Sequence, residues 1–427
     1  MSDTADGPEA LNVAAAPVGS ALTSTDSEQH RSGSGRATPN SAAELRRRGN
    51  PVDTPRGRRL PYGHARERTE GGESRCTAAP NTAARHRAPA SPPGRQLTAD
   101  RERFDAFRKE LLSMTDTVIH PLVEADARAL FTSLDDPGTV GRALLGRPYT
   151  TVAEGGEYRP EWTWVALRGG RAVARAAFWA PPGATEPLLL DWFDFAPGEH
   201  DTAVRLLREA TPRVEYELIL PPGWRDTPGT RAAAEARIGA AEAAGYRPLV
   251  ERFRYDWTPD RGLPALPGRL VFRPEPDDAV ILDVLRRITR GTLDAHALHA
   301  LATVGPDDPE KGIEVAARED MDHLLRMRSP REWWRLAYTP DGELVGLHVP
   351  GLIPSGPCVA FIGVVPEQRG HGYAYDLLAD STHQLVGGGA ESIAASTDLG
   401  NAPMAASFAR AGYPVTQHRY CMTPPAG

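Results

Sequence analysis

Arg369, Gly370, Gly372 and Asn401 are residues whose types and spacing could do chemistry in this 427-residue chain. Gly370 and Gly372 let a backbone bend tightly and come close to a ligand. Directly after them, Ala374, Leu377, Leu378 and Leu385 fall near helical spacing. A helix that opens on free backbone N–H groups, with Arg369 beside it, suits a phosphate or pyrophosphate. Covalent and metal chemistry have less support. Cys76, Cys358 and Cys421 are odd in number and far apart, so the spacing predicts neither a disulfide framework nor a metal-ligand cluster.

Such a turn needs a strand behind it and a helix in front. Val359-Ala-Phe-Ile-Gly-Val-Val365 is a short apolar run with β-branched residues, the pattern of a core strand. Pro366 ends it by removing a backbone donor. Around this unit the spacing predicts helices over 278–290, 310–327 and 402–411. It also predicts a hairpin of 335–338 and 343–349 across Thr339-Pro-Asp-Gly342, with strands at 391–396 and 415–422. Residues 114–260 read similarly. Helices are expected at 122–134, 201–210 and 230–244, and strands at 162–167, 172–179, 188–195, 214–220 and 250–257, the last closing the unit. Residues 262–268 begin a Pro- and Gly-rich linker.

The two stretches read as copies of one unit. Glu242-Ala-Ala-Gly-Tyr-Arg-Pro248 resembles Phe408-Ala-Arg-Ala-Gly-Tyr-Pro414, with Gly245 and Gly412 separated by 167 positions. Trp164 and Trp334 are 170 apart, and Pro197 and Pro366 are 169 apart. Three landmarks at nearly one offset point to a duplicated domain.

A net charge of -7 gives no overall basic footprint for nucleic acid. Lysine occurs only at Lys109 and Lys311, and with abundant Ala, Gly and Pro this suggests a GC-rich bacterial genome. No apolar run approaches the ~20 residues of a membrane span, and no signal peptide is evident, so a cytoplasmic protein is expected. Residues 1–113 are rich in Ser, Pro, Gly, Ala and Arg; the first 100 have Tyr62 as their one Phe, Trp or Tyr. Such a tail buries too little apolar surface to offset the entropy of ordering and is expected to be disordered. Met114 opens the first globular pattern and is a candidate translation start.

Val365-Pro-Glu-Gln-Arg-Gly-His-Gly-Tyr-Ala374 resembles the Arg/Gln-x-x-Gly-x-Gly/Ala turn of the GCN5-related N-acetyltransferase (GNAT) superfamily. Asn401-Ala-Pro-Met-Ala-Ala-Ser-Phe-Ala-Arg-Ala-Gly-Tyr413 resembles the family's Asn-x₆-Tyr-x₃-Gly-Phe segment. The resemblance implies an α/β fold of two tandem GNAT-like domains, each a mixed central sheet flanked by helices, after the disordered tail. The boundaries would be 114–261 for a degenerate copy, 262–268 for the linker and 269–427 for the acetyltransferase domain. It also implies that Arg369, Gly370, His371, Gly372, Tyr373 and Ala374 cradle the pyrophosphate of acetyl-coenzyme A, the co-substrate. The amides of Val364 and Val365 would pair with the pantetheine arm and steady the thioester oxygen. Asn401 would touch the arm, cap the following helix, or both.

The sequence departs from the family where the leaving thiolate is protonated. Many members place a tyrosine where this chain has Phe408, which has no proton to give. Tyr420, Tyr375 or solvent could substitute; Tyr413 is expected in the core, as is its counterpart Tyr246. The base is open too. Asp398 follows the neighbouring strand and is a candidate, with a loop or capping role as its plainer reading. His348 could face an acceptor or be structural, and Cys358 has no base beside it. In the first copy, Glu199 and Asp201 stand where Arg369 and Gly372 stand in the second, so two carboxylates would repel a pyrophosphate. The expected activity is transfer of an acetyl group to a primary amine of a small molecule or protein. A non-catalytic acyl-coenzyme A sensor is the alternative, and a tandem aminoacyl transferase a third, disfavoured by the intact turn. The layout most resembles the mycothiol synthases, without specifying that substrate.

Overall fold

A computed structural model describes Asn12–Ala14 and residues 116–425, apart from 136–137, 182 and 305–307. Except for Asn12–Ala14, the expected tail 1–113 and the candidate start at Met114 lie outside the described residues.

The strands, in chain order, are β1 (Asn12–Ala14), β2 (Val118–Pro121), β3 (Tyr158–Arg168), β4 (Arg171–Trp179), β5 (Leu189–Phe195), β6 (Glu215–Leu220), β7 (Arg247–Trp257), β8 (Val271–Pro274), β9 (Arg335–Tyr338), β10 (Leu344–Ile353), β11 (Gly356–Val364), β12 (Ile393–Asp398) and β13 (Val415–Thr423). The helices are α1 (Ala127–Phe131), α2 (His200–Glu209), α3 (Pro228–Ala244), α4 (Asp278–Thr289), α5 (Ala295–Val304), α6 (Pro309–Arg326), α7 (Tyr373–Gly387) and α8 (Ala402–Arg410). Among the described residues, no helix is long and apolar enough to cross a membrane.

The repeat is visible in the element order. β4-β5-α2-β6-α3-β7 in the first half matches β10-β11-α7-β12-α8-β13 in the second. Gly245 and Gly412 follow α3 and α8 with positive φ of 106° and 79°, values that suit glycine at a helix end. Pro197 and Pro366 follow β5 and β11. Trp164 lies within β3 and Trp334 directly before β9, each four residues before the end of the strand that leads into β4 or β10.

The copies do not close separately. The sheet order is β2-β3-β4-β5-β6-β13-β7-β12-β11-β10-β9-β8. β7 was expected to close the first half; it instead pairs antiparallel with β12 of the second. β13 pairs with β6 of the first half, and β7 and β13 pair with each other. Each half thus lends its last strand to the other. Apolar clusters cover the two ends: Leu206, Tyr216, Leu218 and Ala240 belong to one, and Ile362, Leu377, Ile393 and Phe408 to another.

Polar contacts hold the seam. On one face, Glu251 of β7 accepts from His418 Nδ1 of β13 at 2.6 Å, Trp224 Nε1 at 3.0 Å and the two terminal nitrogens of the Arg225 guanidinium. Burial alone would raise the Glu251 carboxyl, but hydrogen bonds from His418, Arg225 and Trp224 outweigh it and hold the pKa at about 2. A depressed folded pKa contributes stability that is present above the ordinary value of 4.5 and is lost as pH falls toward 2. Thermal melts across that window are expected to show a falling midpoint whose slope is shallower in Glu251→Gln. An equal slope in the variant refutes the assignment.

Candidate functional site

β11 and β12 run parallel and are bridged at a single register, Cys358 opposite Ala394. Beyond it the strands part, and the edge of β11 from Phe361 to Gly363 faces a wedge. Asn12–Ala14 runs antiparallel along that edge, opposite Phe361–Gly363, so the edge accepts an extended backbone. Val365 N–H donates to Val345 O at 2.9 Å, across to the β10 side. The expectation that both valine amides meet the pantetheine is therefore corrected. Amides alternate between the two edges of a strand, which leaves Val364 on the wedge side.

At the end of β11 the chain turns through Pro366–Gln368 and Arg369 into α7. Gly370 and Gly372 have φ of 80° and 70°, a left-handed conformation that favours glycine. Gly372 is the N-cap of α7 and gives the helix no side-chain cap. Among the described residues, the amides of Gly370, His371, Gly372, Tyr373 and Ala374 have no hydrogen-bond acceptor. Five unspent amide donors lie at the positive end of a four-turn helix, an arrangement that suits an anion.

Arg369 acts differently from a rim charge. Its guanidinium donates to the carbonyls of Ile288, Arg290 and Gly291 at 2.7–3.0 Å, and to Val364 O at 3.1 Å. It caps the end of α4 and ties the turn to that helix. Arg269 does similar work from the other side, donating to His371 O, Gly372 O and the Asp376 carboxylate. Arg269 uses the loop carbonyls of His371 and Gly372, whereas the carbonyls that Arg369 uses belong to the end of α4 and to β11.

Asn401 is fully buried and caps α8, with Oδ1 accepting from Met404 N at 3.3 Å. Phe408 is fully buried and stacks on Tyr255 at 4.3 Å, so this position is closed in an aromatic pair and itself carries no hydroxyl. Tyr413 Oη and Thr382 Oγ1 share a hydrogen bond in the same core. Tyr375 donates to Ala265 O, in the linker. Tyr420 lies on β13, opposite Leu218 of β6, and packs against the first half's core rather than beside the turn.

Asp398 does end at the wedge. It is 3% exposed, lies 2.9 Å from Arg252 Nε and accepts from Ala295 N–H at 2.7 Å. Burial pushes its carboxyl above the ordinary range, opposed by Arg252. A raised carboxyl suits a base, but the ion pair with Arg252 and the Ala295 N–H already engage it. His348 is fully buried, with its Nε2 2.8 Å from Asp380, and burial lowers its pKa. That is a structural pair between β10 and α7. Cys358 is buried and its thiol is pushed up to about 12 by burial, far from the reactive range.

The corresponding place in the first half is filled by the protein. β5 and β6 pair only at Leu189–Glu215 and Leu190–Tyr216 before parting. Val140 is buried in that half's core, and Gly141 sits close to both Asp194 and Leu218. Arg142 pairs with Asp191 and Glu157. Asp194 is held by Arg175 at 2.9 Å and Arg237 at 2.7 Å. At the start of α2, the Glu199 carboxylate pairs with Arg168 and accepts from Thr202 at 2.8 Å, while Asp201 is exposed.

The chain is similar in layout to several solved structures. A GCN5-related N-acetyltransferase from Sphaerobacter thermophilus is 16% identical, with a TM-score of 0.41 over 73% of this chain and 97% of that one. A tandem GNAT protein from the clavulanic acid biosynthesis pathway is 16% identical, with a TM-score of 0.38 over 73% and 99%. A GNAT-family acetyltransferase from Colwellia psychrerythraea is 13% identical, with a TM-score of 0.36 over 72% and 100%. No protein-family model matches the sequence. No curated protein sequence matches it either.

Proposed function

We propose that the chain is an acetyl-coenzyme A-dependent N-acetyltransferase whose single cofactor site lies at the β11–α7 turn. The observation that carries this is the row of five unpartnered amides from Gly370 to Ala374, beside a strand edge that accepts an extended chain. A coenzyme A thioester needs that combination: an anion cradle for the pyrophosphate and a backbone edge for the two amides of the pantetheine arm. The arm would take the place that Asn12–Ala14 occupies along β11.

An amine held beside the thioester would attack it directly, giving the amide and the coenzyme A thiolate. Positioning supplies much of the acceleration, since effective molarities reach ~10⁵ M or more. Phe408 and the enclosed Tyr413 leave the thiolate to be protonated from solvent, which a thiol of ordinary pKa near 8.5 allows.

The test is calorimetric titration with acetyl-coenzyme A, followed by thiol release across a panel of primary amines. One equivalent of cofactor per chain is expected, because the first half's wedge holds Val140–Arg142 and its helix start holds Glu199. Two equivalents would overturn the assignment of the first half. Binding without thiol release on any amine would favour a sensor, the reading that Phe408 motivates.

A further inference from the structure

The exchange of last strands brings together three side chains that are far apart in sequence. Glu215 opens β6, His296 lies in the first turn of α5, and Cys421 lies in β13. One donor atom from each (a carboxylate oxygen, an imidazole nitrogen and the thiol sulfur) lies within 4.8 Å of the other two. We propose that this trio binds a zinc-type divalent cation and fastens the two halves at their seam.

The donor set argues for the class of ion. Zinc takes nitrogen, sulfur and carboxylate ligands at about 2.0–2.3 Å, whereas a thiol and an imidazole are poor ligands for calcium or magnesium. His296 Nε2 is 3.0 Å from Glu215 Oε2. That separation suits a hydrogen bond, and it also suits two ligands each about 2.0–2.1 Å from one ion. Part of the remaining polar capacity is unspent. Glu215 Oε1 and His296 Nδ1 are buried and lack hydrogen-bond partners among the described residues. Buried polar atoms are normally satisfied; an ion bound at His296 Nε2 can also take the open Glu215 oxygen, while Nδ1 keeps the imidazole proton.

Charge and access agree. A thiolate and a carboxylate balance a divalent cation. The nearby guanidinium of Arg252 already faces Asp398, and that of Arg419 already faces Glu217. A catalytic Cys–His pair is the competing use of these residues, but Cys421 is wholly enclosed and no acceptor could reach its sulfur. The sequence spacing hid the cluster, because its members lie on one strand of the first half and on a helix and strand of the second.

The site stands apart from the cofactor turn and is tested without acetyl-coenzyme A. The full chain, stripped with a chelator and dialysed against zinc, is expected to retain one equivalent by elemental analysis and to melt at a higher temperature. Cobalt in its place is expected to show a thiolate charge-transfer band in the near ultraviolet. Cys421→Ser should abolish that band and the thermal shift, and His296→Gln should weaken cobalt binding at least tenfold, with circular dichroism reporting the fold of each. Lack of stoichiometric zinc in the folded wild-type chain overturns the proposal, as does a cobalt spectrum unchanged in both variants.

Discussion

Gly372→Glu is expected to weaken acetyl-coenzyme A binding roughly a thousandfold while leaving the far-ultraviolet circular dichroism of the chain unchanged. Two effects act at this residue. Its φ of 70° is a conformation that costs an L-residue about 1–2 kcal/mol. A Cβ built there meets nothing within 4 Å, so the new carboxylate projects into the space where a pyrophosphate would lie. Repulsion between unit charges about 4 Å apart is on the order of 4 kcal/mol at a near-surface effective dielectric. The charge effect is the larger. Gly372→Ala separates the two, because it carries the strain without the charge. Calorimetric titration should find the Ala variant within tenfold of wild type and the Glu variant beyond measurement. Equal affinity in the Glu variant would sink the cofactor assignment.

The turn was legible because its information is local. Gly370, Gly372 and the apolar periodicity of α7 lie within one short stretch, and positive φ has few sequence solutions. Asn401 was legible for the same reason, as a cap directly before an apolar-periodic run. The expected role of Arg369 was only half right, since its charge is local but its partners at Ile288, Arg290 and Gly291 belong to another helix. Strand exchange could not be read. β7 and β13 have the same alternation whichever neighbour they pair with, so pattern sets which face is buried and not which strand is beside it. The exchange in turn decides what Asp398 and Tyr420 can do. Asp398 meets Arg252 because β7 crosses to β12, and Tyr420 is carried into the first half's core because β13 crosses to β6. The short strands β2 and β8 and the helix α5 escaped the periodicity reading, and α5 delivers Ala295 to Asp398 and His296 to Glu215. Its alanines and histidines give a weak apolar stripe, and its position is set by the seam beneath it.

That seam carries the second large effect. Arg252→Met is expected to destabilise the fold by about 3–5 kcal/mol at neutral pH, the usual cost of removing one partner from a buried pair. Arg252 is 1% exposed and stands opposite Asp398 in the β7–β12 register, with Nε 2.9 Å from the carboxylate. Methionine fills the stem's volume but leaves a buried carboxylate, still bonded by the Ala295 N–H, without its ion-pair partner. Asp398 already has a raised pKa in the native state, and loss of Arg252 raises it further. A raised folded pKa gives stability that is present at low pH and lost as pH rises through that pKa. The deficit of the variant should therefore shrink between pH 7 and pH 5, above the window in which Glu251 titrates. Urea unfolding at the two pH values measures this. Arg252→Met combined with Asp398→Leu should recover most of the loss at both, because it removes the stranded charge as well as its partner. A deficit that is the same at both pH values, or that persists in the double variant, would show that the cost lies in packing and not in the charge.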